Sequence, residues 1–197
     1  MKSIIILCGG RSRRMGKDKG SLVLNGKPMI LHVLDTIKDI ADEIVLVLRD
    51  QDQIEKYNQF LDDETVPIKI VTDEIKDQGP LVGILTGLSK INSEYAQILP
   101  CDSPFISKEF VLKMSEIAEG KEFDAIVPIW DDGHIEPLHS IYKKTSVSVI
   151  IDLIKNKKRN VKALIECLNV KYIDAGKLDE TTMSFRNINT INEFKDI

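Results

Sequence analysis

The residues that could do chemistry begin where the first apolar run ends. Ile4-Ile5-Ile6-Leu7 gives way at Cys8 to Gly9-Gly10, then to Arg11, Ser12, Arg13, Arg14, Met15, Gly16, Lys17, Asp18 and Lys19. Glycines let a backbone approach a ligand closely and present its N–H groups, and the cations supply charge for several phosphates at once. The segment predicts a triphosphate cradle at the carboxyl end of a buried parallel strand, where open α/β sheets bind ligands. A solvated basic turn is the simpler alternative. Neither common phosphate loop is present: Lys17 is followed by Asp18 rather than by Ser or Thr, and G-x-G-x-x-G is absent.

Three further groups fit such a cradle. Ile98-Leu99-Pro100-Cys101-Asp102-Ser103-Pro104 repeats the pattern of strand, abrupt turn and one acid. Asp102 there could hold Mg²⁺ while substrate phosphates and water complete the shell, or it could only cap the next helix. Asp73 precedes Gly79-Pro80-Leu81-Val82-Gly83, a turn that opens a helix. Its carboxylate could accept hydrogen bonds from a purine's amino and imino groups, or simply lie in a polar surface loop. In Arg186-Asn187-Ile188-Asn189-Thr190, Asn187 and Asn189 fall on one side of an extended segment. An amide there could join a metal shell or bind a phosphate-bearing substrate; as a helix cap it would do neither. His139, in Glu136-Pro137-Leu138-His139-Ser140-Ile141-Tyr142, reads as a satisfied core or rim histidine on a strand.

The elements that must position these groups alternate. Strands are expected over 3–8, 44–48, 66–71, 95–99, 123–127, 135–142 and 170–173. Helices are expected over 28–40, 53–61, 81–91, 107–118 (capped by Ser107), 147–154 and 161–168, and Thr190 with Glu193 has capping-box spacing for a terminal helix. Alternation predicts a single α/β domain over 1–197, Rossmann-like, with a mostly parallel sheet and helices on both faces. The basic run Lys155–Arg159 reads as a solvated helix end.

Composition sets the class. The 197 residues are 43% hydrophobic and 29% charged, an ordinary globular balance. The formal net charge of -4 argues against a nucleic-acid partner and makes the cationic cluster a local site. No apolar stretch reaches the roughly 20 residues of a membrane span. Cys8, Cys101 and Cys167 suggest neither a disulfide framework nor a zinc site. A cytoplasmic enzyme without a signal peptide is the expectation.

Residues 7–19 match every fixed position of the nucleotidyltransferase signature L-x-G-G-x-S-x-R-M-G-x-D-K. Taken in order, the segments above resemble the molybdenum cofactor guanylyltransferase family over nearly the whole chain. The Gly9-Gly10 pair favours guanylyl over cytidylyl transfer, and 79–83 and 187–190 narrow the resemblance further. It implies a Rossmann-like nucleotidyltransferase fold that transfers GMP from GTP to the terminal phosphate of molybdopterin and releases pyrophosphate, with Mg²⁺. By resemblance, Leu7, Cys8, Gly9 and Gly10 lie against the guanine nucleotide, Lys19 contacts phosphate and Asp73 reads the base or sugar side. Asp102 binds Mg²⁺, and Asn189, with Asn187 beside it, sits near the metal or the acceptor. Arg14 and Lys19 would neutralise the leaving pyrophosphate. Two departures stand out: family members often carry Asn after the second strand, where this chain has Leu48-Arg49-Asp50, and Cys8 replaces a commoner alanine. Other cofactor or sugar-phosphate nucleotidyltransferases, and a non-catalytic nucleotide-binding module, are the rival readings.

Overall fold

A computed structural model describes residues 2–9, 18–61, 68–73, 79–120 and 122–188. Strand β1 (Ser3–Leu7) is followed by two short strands, β2 (Val23–Leu24) and β3 (Lys27–Pro28), and by helix α1 (Met29–Ile37). Then come β4 (Glu43–Leu48), α2 (Gln51–Leu61), β5 (Ile68–Thr72), α3 (Pro80–Lys90), β6 (Tyr95–Pro100) and α4 (Lys108–Ala118). The remainder is β7 (Ala125–Ile129), β8 (Ile141–Lys143), α5 (Ser146–Lys155), α6 (Val161–Ile165), β9 (Val170–Asp174), α7 (Ala175–Leu178) and a 3₁₀ turn, Met183–Phe185.

Seven strands form one sheet in the order β5-β4-β1-β6-β8-β7-β9, an α/β fold with helices on both faces. β1 lies between β4 and β6, parallel to both, with Leu7 opposite Val47 and Pro100. Its run of β-branched residues is what a central strand covered on two faces requires. Side chains alternate: Ile4 and Ile6 pack with Leu46, Leu99 and Phe110 under α1, α2 and α4, while Ile5 packs with Val45, Val47 and Leu88 under α3. The chain leaves β1 toward β4 on one side and leaves β6 toward β7 and β8 on the other. Their carboxyl ends therefore frame the crevice where such sheets bind ligands.

Gly87 sets how closely α3 approaches the sheet, because a methyl there would stand 2.5 Å from Ile5 Cγ2. Gly87→Val is expected to lower stability by roughly 1–3 kcal/mol through overpacking. An unchanged urea midpoint would mean that α3 packs further from β1.

Several expectations need correction. The segment 135–142 is not one strand: Ile135 makes a single antiparallel bridge to Ile129, and β8 begins only at Ile141. Between them a turn closes, with His139 N donating to Glu136 O at 3.1 Å and Ser140 Oγ to the same carbonyl at 2.7 Å, so His139 lies off the strands. β8 runs antiparallel to both β6 and β7. α6 ends at Ile165, and α1 ends at Ile37 in a turn closed by Ile40 N to Ile37 O at 3.0 Å. The β2–β3 hairpin turns through Asn25 (φ 49°) and Gly26 (φ 79°), the two positive φ values that Asn-Gly supplies readily. The Ser107 cap is present, its Oγ accepting from Phe110 N at 3.1 Å. The Thr190–Glu193 capping box lies outside the described residues.

Candidate active site

Helix α2 pins the structure around the first loop. Gln53 Nε2 donates to Cys8 O at 3.1 Å and to Asp18 Oδ1 at 2.9 Å, and Gln53 Oε1 accepts from Arg49 N at 2.7 Å. Tyr57 Oη donates to the same Asp18 oxygen at 3.1 Å. One buried glutamine thus ties the ends of β1 and β4 to the residue before Lys19. Gly20 passes so close to Tyr57 that a Cβ would stand 2.2 Å from the hydroxyl. Burial, with Cys8, Cys101 and Asp18 nearby, pushes the Tyr57 hydroxyl's pKa far up, so it stays a donor. None of Asp18, Gln53 or Tyr57 is among the residues expected from the sequence. Asp18 carried a signal, as a fixed position of the signature, but Gln53 and Tyr57 look like ordinary residues of a polar helix.

Lys19 and Asp102 pair on one side of the crevice, with Lys19 Nζ 2.7 Å from Asp102 Oδ2 and side chains 24% and 15% exposed. Both heads therefore sit at a rim that a substrate can reach. Cys101 N bonds Leu7 O at 3.2 Å, extending the β1–β6 ladder and carrying Asp102 past the end of β1. Cys8 and Cys101 are buried free thiols at these strand ends. A hydrogen bond with Cys8, together with burial, pushes the Cys101 thiol well up and leaves it unreactive.

Asp73 follows β5, its N bonded to Leu48 O at 3.0 Å. A Cβ on Gly9 would stand 3.1 Å from Asp73 Oδ2, and one on Gly83 would stand 3.9 Å from the same oxygen and 3.1 Å from Leu7 Cδ2. Bare backbone at positions 9 and 83 keeps this space open. Asp73 Oδ1 is buried with no hydrogen-bond partner. The other oxygen, Oδ2, is the one beside Gly9 and Gly83, so the carboxylate brings an acceptor to the glycine backbone while its buried Oδ1 has capacity left for a donor. Burial raises the Asp73 carboxyl's pKa, and a hydrogen bond from Thr86 opposes the shift only in part.

The segment after the 3₁₀ turn closes the third side. Ile188 N donates to Asp102 O at 2.9 Å, and the buried Ile188 packs on Leu24 and Met29 of the hairpin region. Ser103 Oγ donates to Asn187 Oδ1 and lies 3.1 Å from His139 Nε2. Asn187 is therefore placed beside Asp102. The structure brings together Leu7, Gly9 and Asp73 on one side of the crevice, and Lys19, Asp102 and Asn187 on the other, while the Cys8 side chain is buried with Cys101 on the opposite face of the sheet from Leu7. Gly10, Arg14 and Asn189 lie outside the described residues.

A divalent cation fits this arrangement in one specific way. Among the described residues no group of three His, Cys, Asp or Glu side chains could enclose a metal. Asp102 offers one carboxylate at a rim, the arrangement by which Mg²⁺ is bound jointly with substrate phosphates.

Residues 4–172 match the family model described as the MobA-like NTP transferase domain. A protein of Methanothermobacter thermautotrophicus named "Probable molybdenum cofactor guanylyltransferase" is 42% identical over 191 residues, covering 96% of this chain and 95% of its own. A protein of the same name from Methanocaldococcus jannaschii is 36% identical over 197 residues, covering 98% and 96%. The crystal structure of molybdopterin-guanine dinucleotide biosynthesis protein A from Archaeoglobus fulgidus superposes with a TM-score of 0.83 at 29% identity, covering 100% of this chain and 96% of that one. Matched by that family model over most of its length, and 42% identical to a relative that it covers almost completely, the chain belongs to the MobA-like NTP transferase family.

Proposed function

We propose that the protein transfers GMP from GTP to the terminal phosphate of a molybdopterin-type acceptor, forming a dinucleotide cofactor and pyrophosphate in the cytoplasm. The observation that carries this reading is the Lys19–Asp102 pair, set across the crevice from the Asp73 carboxylate beside Gly9 and Gly83. No helix among the described residues is long and apolar enough to cross a membrane.

The acceptor phosphate is anionic at neutral pH and needs no general base. Its oxygen attacks the α-phosphorus of GTP; a new P–O bond forms as the bond to the bridging oxygen breaks, and that electron pair leaves with pyrophosphate. No protein nucleophile is required, so the site's work is alignment and charge neutralisation. Lys19 swings from Asp102 to the phosphates, and Arg14 adds a second cation from the signature loop. Mg²⁺ held by Asp102 would supply Lewis-acid neutralisation of the phosphate oxygens. Gly9 admits the purine, and Asp73 accepts from the donor pair on guanine's N1 and N2. Adenine has no such pair, and cytosine leaves the purine space part empty.

Calorimetric titration of GTP, ATP and CTP with Mg²⁺ tests this. GTP should bind tightest, and Asp73→Asn should erode its preference by roughly tenfold or more, because a site built around a donor pair discriminates through its own unpaired atoms. Tightest binding of CTP would move the protein to cytidylyl transfer. The same variant should be more stable than the wild type near neutral pH. Asp73 has a raised pKa in the fold, so its contribution to stability is present below the unfolded carboxylate's pKa and lost as pH rises through the folded one. Asn does not titrate, so the stability gap should open over that interval and vanish in acid. Equal melting curves at neutral pH would show that the buried charge carries no penalty.

A further inference from the structure

Behind the crevice wall runs a chain of side chains that the transfer reaction above leaves unused. Trp130 Nε1 donates to Glu136 Oε1 at 2.9 Å, and Glu136 Oε2 lies 3.5 Å from His139 Nδ1, at ion-pair distance. His139 Nε2 is 3.1 Å from Ser103 Oγ, which donates to Asn187 Oδ1. His139 is 1% exposed and Ser103 not at all, whereas Asn187 is exposed. Phe110 and Phe185 present ring edges to the imidazole, with centroids 6.4 and 5.4 Å away. Four buried or half-buried groups therefore converge on one exposed amide beside Asp102. A packed core does not need them: buried polar side chains cost stability unless fully bonded.

Counting protons fixes the direction of the chain. The serine hydroxyl has one proton, and Asn187 Oδ1 takes it. Ser103 Oγ must then accept from His139 Nε2–H. Glu136 Oε2 faces Nδ1 at 3.5 Å on the other side of the ring and fixes its orientation. Burial alone would raise the Glu136 carboxyl's pKa; hydrogen bonds from His139 and Trp130 and the charge of His139 hold it below the usual range, so it stays an anion. His134 approaches the other Glu136 oxygen at 3.7 Å, and the rings on α4 and the 3₁₀ turn carry no charge. With Oδ1 turned inward, the Asn187 NH₂ group is turned outward. The reverse direction would present Oδ1 to an anion.

We propose that Glu136, His139 and Ser103 are positioning residues that lock the Asn187 amide so that its NH₂ donates to a phosphate oxygen of the acceptor. This rests on the transfer reading above. Two measurements test it separately. Imidazole ¹⁵N correlation spectra of the labelled, substrate-free protein should show His139 Nε2 protonated, and Ser103→Ala should shift that resonance. An unprotonated Nε2, or a resonance blind to Ser103→Ala, overturns the relay whatever the enzyme does. In kinetics with GTP and molybdopterin, Ser103→Ala and His139→Leu should raise the acceptor KM by roughly tenfold while the Kd for GTP stays unchanged. Ser103→Thr, which keeps the hydroxyl, should recover most of the loss. An unchanged acceptor KM, equal losses for both substrates, or no recovery by threonine overturns the proposal. A wild type that consumes no acceptor would instead count against the transfer reading, and the spectra would still decide the relay.

Discussion

Asp102→Ala is expected to abolish turnover, cutting kcat by about 10³-fold or more, while the protein stays folded. The carboxylate is the group at the end of β6 that can share a cation with substrate phosphates. Losing that charge stabilisation removes several kcal/mol from the transition state, which on the exponential scale of rates is about three decades or more. The fold does not depend on it to the same degree. The Lys19–Asp102 pair sits at a rim, where ion pairs contribute about 1 kcal/mol or less. The contact that seats the following segment, Ile188 N to Asp102 O, uses backbone and survives the substitution. Near-normal activity in Mg²⁺ with an unchanged melting curve would show that Asp102 holds no catalytic cation.

Lys19→Ala is expected to lower kcat by about 10²-fold, the loss typical of removing one preorganised group aimed at developing charge. Lys17→Ala is expected to cost only a few-fold. Both substitutions remove one positive charge from the same short stretch, so a general field effect would hit them alike. Lys19 differs because its Nζ is delivered to Asp102 at the rim, and because Gln53 and Tyr57 anchor the preceding Asp18. Equal losses in the two variants would remove the case for a specific phosphate contact by Lys19.

How far the sequence foretold this site varies with the physics of each part. β1, β4 and β6 were legible because a parallel strand covered on both faces must be a continuous apolar run, and each run ends in Gly, Arg-Asp or Cys-Asp just where the site begins. The pairing of Lys19 with Asp102 follows once those strands are neighbours. β8 was not legible: it has three residues, and the turn before it is held by Ser140 and by the Tyr142 hydroxyl on Pro137 O at 2.9 Å, contacts that leave no periodic trace. The sequence therefore reads His139 as a core or rim histidine on a strand, whereas it is buried in the turn before β8. Gln53 leaves no signal in the sequence, because a buried glutamine on a helix looks like any surface glutamine until the end of β1 is beside it. The β2–β3 hairpin carried a readable signal in Asn25-Gly26, masked by its nearness to the basic loop.

The most direct test of the central claim is pyrophosphate release by the wild-type protein in Mg²⁺. GTP, ATP, CTP and UTP would each be supplied with a molybdopterin-type acceptor and, separately, with sugar 1-phosphates. Release is predicted with GTP and the pterin acceptor, together with a product heavier than the acceptor by one GMP unit. Release with a sugar phosphate instead, or saturable GTP binding with no release from any acceptor, would contradict guanylyl transfer to the cofactor.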